Sequence, residues 1–282
     1  MNLFTLMRIE LLKLRKSRSV TVGLVSLVFF VLLMVWGFYS YAMRQTGGDS
    51  IFRVAVETGY FNGLLFSLYS LYFAFNFVMP VVVVMVAGAQ ISGETHSGTL
   101  RAILSRPVGR ARLLLSKFLV TVLYTWLVMA AFISFNLLLG FFLVGWGDLG
   151  LYPGPLGLVD EPGSIAQNIA LARFGLATLS GSWSLVTLAA VAFFFSVLFD
   201  TPVISVTAAV LVYFILTVIG RVEFFSEIKP YFFTTDMDFW RLVFKPQIPW
   251  RELAYSASRC GIYVFSLLVA SVLIFERKDI TT

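Results

Sequence analysis

The sequence predicts an all-α polytopic membrane protein with six transmembrane helices, and three observations carry that expectation. Of 282 residues, 59% are hydrophobic and only 13% charged, with 29 Phe among them, which is more apolar surface than a soluble domain can bury. Six runs are free of charge, and most are long enough to cross a hydrocarbon core of about 30 Å, which takes about 20 residues. Basic residues cluster so that alternate loops differ sharply in charge. A single transmembrane domain over residues 1–282 follows, because no soluble block is long enough to fold around its own core.

Residues 1–18 precede the first run and carry Arg8, Lys13, Arg15, Lys16 and Arg18. Leu3, Phe4, Met7, Leu11 and Leu14 fall within a stripe of about 100° on a helical wheel, blurred by Leu6, Ile9 and Leu12. An N-terminal amphipathic interfacial helix is expected there. A signal peptide is not, since the following run is too long for an h-region and ends without a small-residue cleavage site.

The spans are expected at about 19–43, 64–89, 118–146, 175–199, 202–220 and 256–275. The last requires extension past Arg259, with that guanidinium snorkelling to the interface. Asp200 alone separates the fourth and fifth runs, so a tight hairpin is expected there, with Pro202 in the first turn of the fifth span and Asp200 capping its N–H groups. Pro80 is the mid-span proline, predicted to kink its helix and free a carbonyl that a neighbour satisfies. Between the third and fourth spans, residues 147–163 are rich in Gly and Pro and read as an irregular connecting loop.

Twelve basic and five acidic residues fall on the side of both termini, against nine and ten on the other. The net charge of +6 is therefore a topology signal that places both termini in the cytoplasm of a multi-pass plasma-membrane protein, bacterial or archaeal. It does not indicate nucleic-acid binding, for which no basic soluble domain exists.

Residues 91–117 form a compact basic cytoplasmic segment with Arg101, Arg106, Arg110, Arg112 and Lys117. Residues 221–257, on the other side, interleave charges with aromatic residues including Phe224, Tyr231, Trp240 and Trp250. Rings of this kind form a headgroup-level belt or short half-buried helices that close the outer end of a substrate path. Asn76 and Asn136 are the polar exceptions inside the expected spans. With Tyr72 and Trp240 they are the candidates for lining that path.

No catalytic site is expected. None of the six lysines follows a glycine, so a Gly-Lys phosphate loop is absent. His96 is the single histidine and Cys260 the single cysteine, which leaves no metal cage and no disulfide framework. No cofactor is expected on the chain, and the lack of ionisable groups within the expected spans, apart from the snorkelling Arg259, argues that energy for transport comes from another polypeptide.

Glu94, Gly98-Thr99-Leu100-Arg101, Leu104-Ser105-Arg106-Pro107, Arg110 and Lys117-Phe118 resemble the signature of ABC-2 type permeases, the membrane subunits of ABC exporters. The ending Phe275-Glu276-Arg277-Lys278-Asp279-Ile280 is similar to the Phe-x-Arg-Arg-Asp tail of many members, with Lys278 in place of the second Arg. Thr95-His96 stands where members often carry a charged pair. The resemblance implies a homodimer or heterodimer of permeases bound to two copies of a separate ATPase, which holds the ATP and Mg, with a cytoplasmic coupling helix after the second span.

Glu94, Gly98, Thr99, Leu100, Arg101, Arg106, Pro107 and Arg110 are then the coupling residues. Ser97 or Thr99 is expected to cap a short helix, Gly98 to allow close backbone approach, Arg101 to pair with acidic groups of the partner, and Pro107 to end the helix. Membrane lipids are the remaining partner. Two alternatives stay open on the residues alone: a membrane-embedded lipid-modifying enzyme using His96 and Glu94, and a non-transporting membrane anchor. Cargo is not readable from the sequence.

Overall fold

Long uncharged runs become helices because hydrocarbon offers no partner for a free backbone N–H or C=O. The structure, a computed structural model, describes residues 3–43, 62–104, 109–152, 157–159 and 163–278. Six of its helices are long and apolar enough to cross a membrane, as the fold class requires. The helix α1 (Leu3–Arg15) comes first, then the first candidate span α2 (Arg18–Met43) and the second, α3 (Gly63–Ala87). Two short helices follow, α4 (Ser92–His96) and α5 (Thr99–Leu104). The remaining spans are α6 (Arg110–Val144), α7 (Gln167–Leu198), α8 (Pro202–Ile219) and α10 (Trp250–Arg277), with the one-turn α9 (Phe233–Asp236) before the last.

The third span begins eight residues before its expected start. At 35 residues, α6 is about 52 Å long at 1.5 Å per residue, so its basic first turns stand clear of a hydrocarbon core of about 30 Å. The sixth span extends back to Trp250. Arg259 pairs with Asp236 at 3.2 Å and donates to the Pro230 carbonyl, both in the segment before the sixth span.

Within α3, residues Ala74–Val78 form a π-helical turn just before Pro80. Proline lacks an N–H, so the carbonyl of Asn76, four residues earlier, loses its helical donor. The Tyr213 hydroxyl of α8 donates to that carbonyl at 3.2 Å, which is the satisfaction by a neighbour that Pro80 demanded.

At one end of the bundle, the segment after α6 is more than a connector. β1 (Leu149–Leu151) and β2 (Gly163–Ile165) form an antiparallel pair with Leu149 opposite Ile165. Leu149, Leu151 and Ile165 are buried in the main core. Asn62 caps α3 by accepting from the N–H groups of Leu64 and Leu65, and donates to the Asp148 carbonyl at 2.6 Å. Gly63 and Gly140 touch backbone to backbone, so a Cβ on Gly63 would fall 2.4 Å from the Gly140 carbonyl carbon.

The core divides into two clusters. The larger fills the middle of the bundle and the end bearing the β pair. The smaller joins Leu6 of α1, Ile91, Leu100 of α5, Leu113, Leu114 and Phe118 of α6, Phe193 of α7 and Phe275 of α10. This second cluster packs the basic end of the molecule into one unit.

Candidate functional site

The turn between α4 and α5 projects from the basic end. His96, Ser97, Gly98 and Thr99 are exposed, whereas Leu100 is buried in the basic-end cluster. Gly98 has φ +70°, a left-handed conformation that costs other residues about 1–2 kcal/mol. No atom lies within 4 Å of a Cβ built there, so it is the backbone angle, and no close approach within this chain, that requires glycine.

Capping at this turn differs from expectation. Ser97 and Thr99 bond each other at 3.0 Å, and both hydroxyls donate to the Glu94 carbonyl. They close the C-terminal end of α4. The N-terminal end of α4 is instead capped from another span: the Ser196 hydroxyl of α7 accepts from the N–H groups of Ile91 and Ser92 at 2.9 and 3.0 Å.

Beside the turn lies a group of four charges, of which Glu10 and Lys117 are buried, Glu94 is half-buried and Lys13 is exposed. Lys117 contacts Glu10 at 2.8 Å and Glu94 at 2.7 Å, and Lys13 contacts Glu10 at 3.0 Å and Glu94 at 2.9 Å. The Lys117 side chain is 1% exposed. Burial would raise the Glu10 carboxyl, but the charge of Lys117 and hydrogen bonds from Lys117 and Lys13 outweigh it and hold the group below its ordinary value. For Lys13, burial lowers the ammonium, and the bonds and charges of Glu94 and Glu10 overcome this and hold it above its ordinary value.

Two positive and two negative charges make this set neutral, the condition under which buried charges persist. It joins α1, α4 and α6 through one cluster. One oxygen of Glu94, Oε2, is buried without a partner among the described residues, beside a cleft of about 210 Å³.

Glu10 and Lys13 escaped the sequence reading because the predicted stripe of α1 placed Leu3 and Phe4 toward the membrane and said nothing about a second face. The face that packs on α6 bears Leu6 and Glu10, four residues apart, while Phe4 is 79% exposed. A glutamate embedded in a strongly basic amphipathic helix was the signal available.

Of the other coupling residues, Arg110 donates from Nη1 to the carbonyls of Phe275, Glu276 and Lys278. It is thus engaged with the end of α10. Arg106 and Pro107 lie outside the described residues, as does the side chain of Arg101. Asp200 does not cap α8: the capping position is Thr201, without a side-chain bond, and Asp200 pairs with Lys278 at 2.7 Å. Pro202 does occupy the first turn.

Three of the four path candidates meet around the π-turn of α3. Asn76 donates to the Tyr72 carbonyl at 2.8 Å and borders a cleft of about 180 Å³ with Tyr213, Arg221, Lys229 and Asp238. Arg241, paired to Asp238 at 3.2 Å, stands over the Tyr72 ring. Burial holds the Asp238 carboxyl above its ordinary value despite the charge of Arg241.

Trp240 is fully buried behind Phe75, ring to ring at 5.3 Å, and its indole N–H has no partner among the described residues. Asn136 stays apart, buried and donating to the Phe132 carbonyl of its own helix. The aromatic segment therefore divides its rings. Phe224, Tyr231 and Trp250 are exposed as a belt would be, whereas the 3₁₀ turn Met237–Phe244 buries Phe239, Trp240 and Phe244 against α7.

Six apolar helices with an exposed turn at the basic end agree with what similarity to known proteins shows. Residues 6–153 match the family described as ABC-2 family transporter protein. The chain is also 23% identical over 211 residues to YhcI, an uncharacterized protein of Bacillus subtilis strain 168, an alignment that covers 73% of this chain and 66% of that relative. The matched span takes in α1, α3, the α4–α5 turn and α6, which hold every member of the charge cluster, and on this match the chain belongs to the ABC-2 family of transporter proteins.

Proposed function

We propose that this multi-pass membrane protein is the permease subunit of an ATP-driven exporter, with the basic end and both termini in the cytoplasm. Two copies of a separate ABC ATPase seat the α4–α5 turn, and a second permease, identical or related, completes the assembly. ATP and Mg act on the partner.

The observation that carries this reading is the placement of an exposed turn, residues 96–99, beside the cluster of Glu10, Lys13, Glu94 and Lys117. Side chains at 2.7–3.0 Å in a low-dielectric site are stiffly coupled, so a push on the turn is passed to α1 and to the base of α6. Arg101 supplies a cation for an acidic patch of the ATPase. Beyond the coupling end, cargo passes Asn76 and Tyr72, with the buried Trp240 backing the wall behind Phe75. The aromatic end closes that path.

The test is co-purification followed by reconstitution. The wild-type chain retains a P-loop ATPase, and Gly98→Trp or Arg101→Glu keeps membrane insertion while separating ATP hydrolysis from export. Unchanged coupling in both variants removes the assignment of this turn. Failure of any ATPase to co-purify with a monodisperse chain removes the exporter reading itself.

A further inference from the structure

The last carbonyls of a helix have no partner within it, and the basic end supplies cations to two such ends at once. Arg110, in the first turn of α6, donates to the carbonyls of Phe275, Glu276 and Lys278 at 3.4, 3.0 and 3.0 Å, closing the end of α10. Lys278, the residue after that helix, donates to the Val197 and Leu198 carbonyls at 2.8 and 3.4 Å, closing the end of α7, and pairs with Asp200 in the turn to α8. Each cation sits where the helix dipole is negative. Phe275, just before, is fully buried in the same cluster as Leu100 of the coupling turn.

We propose that residues 275–278 form a positioning clasp, in which Lys278 ties the ends of the fourth and sixth spans to the start of the fifth so that movement of the coupling turn is delivered to all three. The proposal rests on the ATP-driven reading above. Asp200 is 66% exposed and Lys278 23%, and a pair this accessible contributes little to stability. Its value is therefore geometric. Without it α7, α8 and α10 still fold against one another, but their basic ends are free to move separately, and displacement of the turn is absorbed as local bending. Arg110 reaches the same tail from α6, two turns from Lys117, so the base of that helix holds the charge cluster at one point and the clasp at another.

The experiment uses the full chain with its ATPase in lipid nanodiscs and spin labels at two exposed positions, Leu12 on α1 and Val203 at the start of α8, 56% and 74% exposed. In the wild type, ATP binding is expected to shift the distance between the labels. In Lys278→Gln the ATPase stays bound and hydrolyses ATP, the shift falls by at least half, and Lys278→Arg restores it. A full shift in Lys278→Gln overturns the clasp. Should Lys278→Gln fail to assemble, Asp200→Asn, which leaves the bonds from Lys278 to the Val197 and Leu198 carbonyls in place, is measured instead: a reduced shift with the ATPase bound supports the clasp, and a full shift overturns it. A bound ATPase with an unaltered shift defeats only the clasp, whereas an absent ATPase in the wild type defeats the reading on which it rests.

Discussion

At the basic end, α1, α4 and α6 meet through four charges at 2.7–3.0 Å, while at the aromatic end α3 and α6 meet through a glycine pair, and α3 and α7 meet the 237–244 turn through tilted and edge-on rings. Charges exert force over distance, reorganise with small movements and respond to pH. Close-packed backbone and rings do none of these, and resist deformation because interiors are packed at crystal-like density. One end is thus suited to receive and pass on a displacement, and the other to hold a seal.

The largest expected effect breaks the charged end. Lys117→Ala leaves Glu10 and Glu94 facing each other with only the half-exposed Lys13 between them. Removing one partner of a buried ion pair costs about 3–5 kcal/mol, so the variant should show a clearly lowered Tm by fluorescence-detected size exclusion. Lys117→Met with Glu10→Leu and Glu94→Gln should recover much of that loss, because the unpaired charge is gone. A single variant as stable as the wild type would show that the cluster is not stiff.

At the aromatic end the matching perturbation is steric. A Cβ on Gly63 falls 2.4 Å from one Gly140 backbone atom and 2.5 Å from another, and neither belongs to a flexible side chain that could move aside. Gly63→Val should lower stability by about 1–3 kcal/mol, the usual range for overpacking. Gly37, with nothing within 4 Å of a built Cβ, is the control position for the same change.

How far each end could be read in the sequence follows from the same contrast. Apolar runs and basic clusters report partition between water and lipid, which is a property of composition, so the six long apolar helices and the exposed turn at Gly98 were legible. Partners within the bundle were not. Glu10 and Lys117 are 107 residues apart, and nothing local marks them as a pair. Asp200 looked like a helix cap because it precedes Pro202, yet Lys278, brought to it by the end of α10, takes it instead. The β pair escaped because Gly and Pro in residues 147–163 concealed a three-residue ladder.

A smaller effect probes the boundary between the two ends. Tyr213→Phe removes the one donor to the Asn76 carbonyl that the structure supplies in place of the missing Pro80 N–H. Leaving a buried acceptor unpaired costs about 1–3 kcal/mol, less the part recovered by local adjustment of the π-turn. Stability should fall modestly, and Tyr213→Phe combined with Pro80→Ala should be milder than the sum of the two, since alanine returns the lost donor. Strict additivity would separate Tyr213 from the proline.

The smallest effect carries the sharpest sign. Glu10 sits below its ordinary value of 4.5, for which burial works against and Lys117 and Lys13 work in favour. Its contribution is fully present above pH 4.5 and fades as pH falls through the lowered native value. Asp236 and Asp238 at the aromatic end have the opposite displacement, above their ordinary value of 3.8, because burial outweighs Arg259 and Arg241 respectively. The native state there binds the proton more readily than the unfolded chain, so acidification through that window adds stability. Hydrogen exchange, corrected for the intrinsic pH dependence of the rate, should lose protection over residues 5–15 below pH 4.5 while residues 236–244 hold or gain. Parallel loss at both ends would mean that the carboxylates of the two ends do not respond to acid with opposite sign, and the contrast between them would fail.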